Sequence, residues 1–155
     1  MQVTRQLLKD LDNLQQGACW IGYNALQVLE GINATTAQTK AYDRGNTIWQ
    51  IVNHISYWRE LVARRVNERK PVQAELEGFD SPVIADEASW NATLERFNHS
   101  YQLLRQAIGS LQESELYLIL EGDQTIYYNI QGCLLHDSFH LGQVIILKRM
   151  AGISA

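Results

Sequence analysis

The sequence predicts an all-α protein, a four-helix bundle. Four long stretches carry apolar residues at helical spacing. A capping box heads one of them, and both prolines, Pro71 and Pro82, fall in a single connection. At 155 residues and 46% hydrophobic, the chain suits one domain over 1–155 with one core.

The first helix begins near residue 2, where Leu7, Leu8, Leu11 and Leu14 recur at helical intervals, and Gly17 interrupts it. A second piece, about Trp20 to Glu30, continues it after a kink. In "TTAQ", Thr35 and Gln38 match a capping box and start a short helix. The next long helix, "NTIWQIVNHISYWRELVARRVNER", has Thr47 as N-cap and Gln50 three residues into the helix. Its apolar stripe is Ile48, Ile51, Val52, Ile55, Trp58, Val62 and Val66. The Pro- and Gly-containing segment "KPVQAELEGFDSPVIADEAS" reads as a long connection. From about Glu87 to Ser110, Trp90, Leu94, Phe97, Tyr101, Leu104 and Ile108 alternate steps of four and three, the seam of a bundle. "LYLILEGDQTIYY" fits a strand pair turning at Gly122–Asp123. The last helix starts near Thr125 or Asn129 and stops at Gly152.

Composition narrows the partners. The net charge is −4, and the basic residues of "RELVARRVNERK" are interleaved with Glu60, Asn67 and Glu68. Nucleic acid and anionic membrane are therefore not expected as partners. No stretch is long and apolar enough to span a bilayer. The charged, periodic N-terminus reads as a helix rather than a signal peptide. Two cysteines, Cys19 and Cys133, make no disulfide framework, so a reduced, cytoplasmic protein is expected.

The chemistry concentrates in "CLLHDSFHLGQ". His136 and His140 stand four apart, with Cβ atoms roughly 5–6 Å apart on one helix face, a span that one metal ion bridges. His54 in "VNHISYW" brings a third imidazole to the apolar side of another helix. Burying three neutral imidazoles is costly unless each nitrogen finds a partner, and a divalent ion satisfies three at once. Three histidines leave coordination positions for water or substrate, the pattern of a catalytic site. His99 lies off the seam of its helix and reads as a surface residue.

The neighbours have two readings each. Gly132 opens space for substrate or allows close helix packing, and Trp58 lines a pocket or belongs to the core. Gln143, at i+3 from His140, bonds a bound water or ligand, or another helix. Cys133 is a fourth ligand or a packing residue, and Asp137 is exposed or supports the ligands from behind. A carboxylate from the 71–88 connection is a candidate general base.

"GACWIGYNALQVLEGINATTAQ", "TIWQIVNHISYWRELVARRV" and "LLHDSFHLGQVIILKR", in this order and at these gaps, resemble the DinB/YfiT-like superfamily. The resemblance spans nearly the whole chain and is most specific in "HISYW" and "HDSFHLGQ". It implies a four-helix bundle, often dimeric, with a divalent metal held at the positions of His54, His136 and His140. It further implies metal-dependent hydrolases, or S-transferases that use low-molecular-weight thiols such as bacillithiol or mycothiol. Where the family often carries a Trp-His pair, this chain has Trp20-Ile21, which withdraws any polar role from position 21.

The expected function is a metal-dependent enzyme acting on a small-molecule substrate, with zinc, nickel or iron as cofactor and a low-molecular-weight thiol in the S-transferase case. The alternative is a metal- or ligand-binding bundle without turnover. Trp90, Tyr101 and their partners fill one face of their helix, but four Trp and seven Tyr in all exceed what one modest core needs, so a homodimer through helix faces is expected.

Overall fold

Thr47 begins the helix on which the site depends. Its Oγ1 accepts from Gln50 N, and the Gln50 side chain accepts from Thr47 N, so the capping box is formed. The helix, α4, runs Ile48–Glu68. The computed structural model describes residues 2–75 and 77–153. Before α4 come α1 (Val3–Gln15) and two short helices, α2 (Ala25–Leu29) and α3 (Ala34–Ala37). After it come α5 (Glu87–Gly109), a 3-10 turn (Glu113–Tyr117), a hairpin of β1 (Ile119–Glu121) and β2 (Gln124–Thr125), and α6 (Ile126–Met150). The fold is all-α apart from this hairpin, which turns where the sequence predicts.

Two expected helices differ. The piece from Trp20 is helical only from Ala25, because Asn24 closes a capping box with Gln27 and so sets a later start. The short helix starts at Ala34, capped by Asn33 and not by Thr35, since Asn33 Oδ1 accepts from Thr36 N. At the C-terminus Gly152, at φ 80°, closes α6: its N–H donates to the carbonyl of Arg149 and that of Ile153 to the carbonyl of Lys148.

The four long helices pack in a ring, α4 against α5 and α6, α1 against α5 and α6. Side-chain pairings give the directions. Trp49 meets Trp90 and Arg59 meets Phe97, so α4 and α5 run parallel. Arg59 meets Asp137 and Arg65 meets Asn129, so α6 runs antiparallel to α4. Parallel neighbours in sequence need a long crossover. Here the 69–86 connection travels back along α4, with Arg65 on Val72, Tyr57 on Glu75, Asn53 on Asp80 and Gln50 on Phe79.

The core contains the predicted stripes, among them Ile48, Val52 and Ile55 with Phe97, Leu104 and Ile108. Trp90 and Tyr101 are buried in it, and Trp90 donates to the carbonyl of Ile32. They fill the core-facing side of α5, as the predicted seam requires. Trp49 is buried as well, off the predicted stripe, with its indole N–H donating to Thr93.

Candidate metal centre

His54 sits mid-helix on α4, and His136 and His140 sit on α6, one turn apart. Antiparallel packing brings the three rings together, with centroids 4.3–4.8 Å apart. One nitrogen from each lies within 4.8 Å of the others, a group that can hold a metal ion. His99 is exposed and apart from it.

The hydrogen bonds behind the rings set their tautomers. His54 Nδ1 meets the carbonyl of Glu77, which only accepts, so Nδ1 carries the proton and Nε2 offers its lone pair. His140 Nδ1 donates to Gln143 Oε1 at 2.7 Å, with the same result. Gln143 therefore orients the His140 ring, and it is not among the described residues that line the pocket. His136 Nε2 lies 2.9 Å from His54 Nε2. Its Nδ1 is buried 3.6 Å from Asp137 Oδ1, and neither atom has a hydrogen-bond partner among the described residues. With the proton of His136 on the Asp137 side, three lone pairs converge. That arrangement is repulsive when empty and suits a divalent cation, so the donor set fits a metal.

Asp137 is wholly buried, which removes the reading of it as an exposed residue. Its Oδ2 accepts from Arg59 Nε at 2.6 Å. Sequence reasoning missed Arg59, because a charged residue beside an apolar stripe ordinarily faces solvent.

The crossover supplies two further parts that the sequence left unassigned. Phe79 stacks flat on His54, with centroids 3.7 Å and planes 8° apart. Gly78 makes this possible. At φ 77° it adopts a backbone that L side chains rarely enter, and a Cβ there would lie 2.7 Å from Tyr57 Cβ. Only glycine lets the chain pass this close to α4, aiming Glu77 O and the Phe79 ring at His54.

Burial lowers the pKa of His54 to about 4. The bond to Glu77 opposes this shift, while the neighbouring imidazoles reinforce it. Burial also lowers that of His140, against its bond to Gln143. Both stay neutral near pH 7, the form that binds metal.

The imidazoles open on a cavity of about 520 Å³ between α4, α6 and the crossover. Trp58, Val62, Phe79 and Phe139 make its walls apolar. Trp58 lines this pocket, half-buried, with its indole N–H lacking a partner among the described residues. Gly132 lines it too. A Cβ there would meet no atom within 4 Å, so the glycine serves open space and not close packing. Cys133 is buried at the pocket wall, and burial pushes its thiol pKa well up, which suits packing and opposes ligation or nucleophilic attack. No carboxylate lines the cavity among the described residues, so the 71–88 connection contributes a ring and a backbone carbonyl and not the candidate base.

The fold and site define a helical bundle whose three converging imidazoles, under an apolar pocket, could hold a metal ion. The model of the DinB superfamily matches residues 21–144, and the chain belongs to that superfamily. No curated protein and no solved structure matches the chain.

Proposed function

We propose that the protein is a cytoplasmic, metal-dependent enzyme acting on a small molecule, as a hydrolase or a low-molecular-weight-thiol S-transferase. The observation that carries this is the convergence of the His54, His136 and His140 nitrogens at one end of an apolar cavity of small-molecule size. A divalent ion held there, zinc, nickel or iron, would supply Lewis-acid chemistry that lowers the pKa of a water or a thiol. The chain's own residues do the rest. Glu77 O and Gln143 Oε1 hold the ligand rings in the metal-binding tautomer. Phe79 covers His54 and excludes water, and Trp58 and Val62 bind the apolar part of a substrate. Cys19 and Cys133 are unpaired, which supports a reducing compartment.

The test is elemental analysis of protein purified without chelator or a nickel column, followed by turnover of ester, amide and alkyl-halide panels with and without bacillithiol, mycothiol or glutathione. Metal-dependent product formation supports the enzyme, and a thiol requirement selects the S-transferase. Bound metal and bound ligand without product would instead support a binding bundle.

The enzyme acts as a homodimer in this proposal. Apolar residues of α6 lie outside its buried stripe as well as in it: Leu135, Phe139 and Ile146 each expose more than half of their surface. Trp20 and Ile21, exposed as well, border a second cavity with Leu135. A group of exposed apolar side chains on one helix is ordinarily covered, here by a second copy of the chain.

A further inference from the structure

The cavity does not end at the imidazoles. His54, Trp58, Val62 and Arg65 fall at successive turns along one face of α4, and all line it. Asn129, Gly132, His136 and His140 do the same along α6. Because the helices are antiparallel, the cavity is a trough with imidazoles at one end and Arg65 with Asn129 at the other. From His54 to Arg65 the helix rises roughly 16 Å.

Arg65 alone carries a permanent charge among the described lining residues. Its Nε donates to Val72 O at 2.9 Å and its Nη1 to Asn129 Oδ1 at 3.0 Å, and both acceptors are neutral. Among the described residues, no carboxylate lies within ion-pair distance of it. Glu121, whose charge acts on it from farther away, is exposed and accepts from Gln73 Nε2 at 3.3 Å. Burial lowers the guanidinium pKa. The guanidinium is thus held by two neutral acceptors and partly desolvated, 6.0 Å over the Trp58 ring, with no carboxylate paired to it among the described residues at the wall of an apolar trough. Such a group is stabilised by an anion.

We propose that Arg65 recognises a carboxylate on the substrate, so that the trough takes an elongated small organic acid. Its reactive group reaches the imidazole end, its apolar middle lies on Trp58 and Val62, and its carboxylate meets the Arg65 guanidinium. Gln124, exposed, also lines the cavity, and its side-chain amide is a donor for a second hydrogen bond. This assignment rests on the imidazole cluster being the reaction centre.

The test uses the full chain, zinc-loaded and chelator-treated, with two probe pairs in calorimetry: phenyloctanoate against phenyloctanamide, and octanedioic monohydroxamate against its terminal amide. In the wild type, each acid should bind about tenfold or more tightly than its amide, the worth of one charge-assisted hydrogen bond. For the phenyl pair this should hold with and without zinc. The preference should vanish in Arg65→Gln and survive in Arg65→Lys. Unchanged circular dichroism and zinc stoichiometry should show that the variants fold, and the wild-type comparison needs no variant. Equal binding of acid and amide, no binding of the acid, or a preference that persists in Arg65→Gln overturns the proposal. Hydroxamate affinity that rises with zinc still leaves the metal centre standing in those cases. An acid preference with no zinc effect on hydroxamate keeps Arg65 as an anion site and removes the metal reading.

Discussion

Arg59 and Asp137 form an ion pair, Nε to Oδ2 at 2.6 Å, with both side chains wholly buried. Arg59 belongs to α4, yet it also donates to Gln15 of α1 at 3.0 Å and lies 4.4 Å over the Phe97 ring of α5. One guanidinium therefore touches all the other long helices, and its carboxylate partner stands beside His136.

Removing one member of this pair leaves an uncompensated buried charge. Arg59→Met and Asp137→Leu should each cost about 3–5 kcal/mol in urea unfolding. The double variant should be less destabilised than either single variant, because no charge is then left alone. A double variant as unstable as the sum of the two would show that the pair contributes through packing.

The histidines should behave as a set. The His136→Gln, His140→Gln double variant should keep its helical circular dichroism, since Gln is a good helix former, and lose bound metal in elemental analysis. Gln143→Ala should weaken metal binding about 10–100-fold by freeing the His140 ring. Chelator should lower the melting temperature of the metal-containing protein at pH 8. Tight binding of one metal per chain by the double variant would make both residues core histidines.

Acid should destabilise the metal-free protein. The folded pKa of His54, about 4, lies below its ordinary value of 6.5, and that of His140 is lowered too. Between those pH values the unfolded chain binds more protons, so stability is full above about pH 6.5 and falls as pH drops toward 4. Melts of chelator-treated protein at pH 8 and pH 5 should show this loss. It should be smaller in the double Gln variant, whose remaining His54 no longer faces two other imidazoles. An equal loss in both proteins would place the acid sensitivity elsewhere.

Two glycines of the site should respond oppositely to alanine. Gly132→Ala meets open space on a helix and should stabilise by about 1 kcal/mol, a rise of about 2–4 °C in melting temperature, while narrowing the cavity. Gly78→Ala forces a Cβ into Tyr57 at positive φ and should cost roughly 1–3 kcal/mol. It should also weaken metal binding, because Glu77 O then leaves His54. Differential scanning calorimetry with metal titration reads both effects.

Light scattering should give about twice the 17.7 kDa of one chain. Leu135→Glu, on the exposed stripe of α6, should return the protein to one chain without loss of helix. A wild-type mass near 17.7 kDa at micromolar concentration would overturn the dimer.

What the sequence alone determined is local. The Thr47–Gln50 capping box, the apolar stripes, the hairpin at Gly122–Asp123 and the His136–His140 pair depend on residues within a turn or two of one another. The chemistry of a short segment decides such features. Where two local signals competed, as between Asn33 and Thr35 or between Asn24 and Trp20, the segment did not name the winner. His54 could be placed on a buried stripe, since its helix was legible, but not opposite His136. Only the tertiary structure decided the path of the 69–86 crossover, and with it the Glu77 carbonyl, the Phe79 stack and the need for glycine at position 78. It alone also turned Arg59, Asp137 and Arg65 inward. A charge on a helix faces water by default, and what reverses that is a partner far along the chain, which no periodicity records.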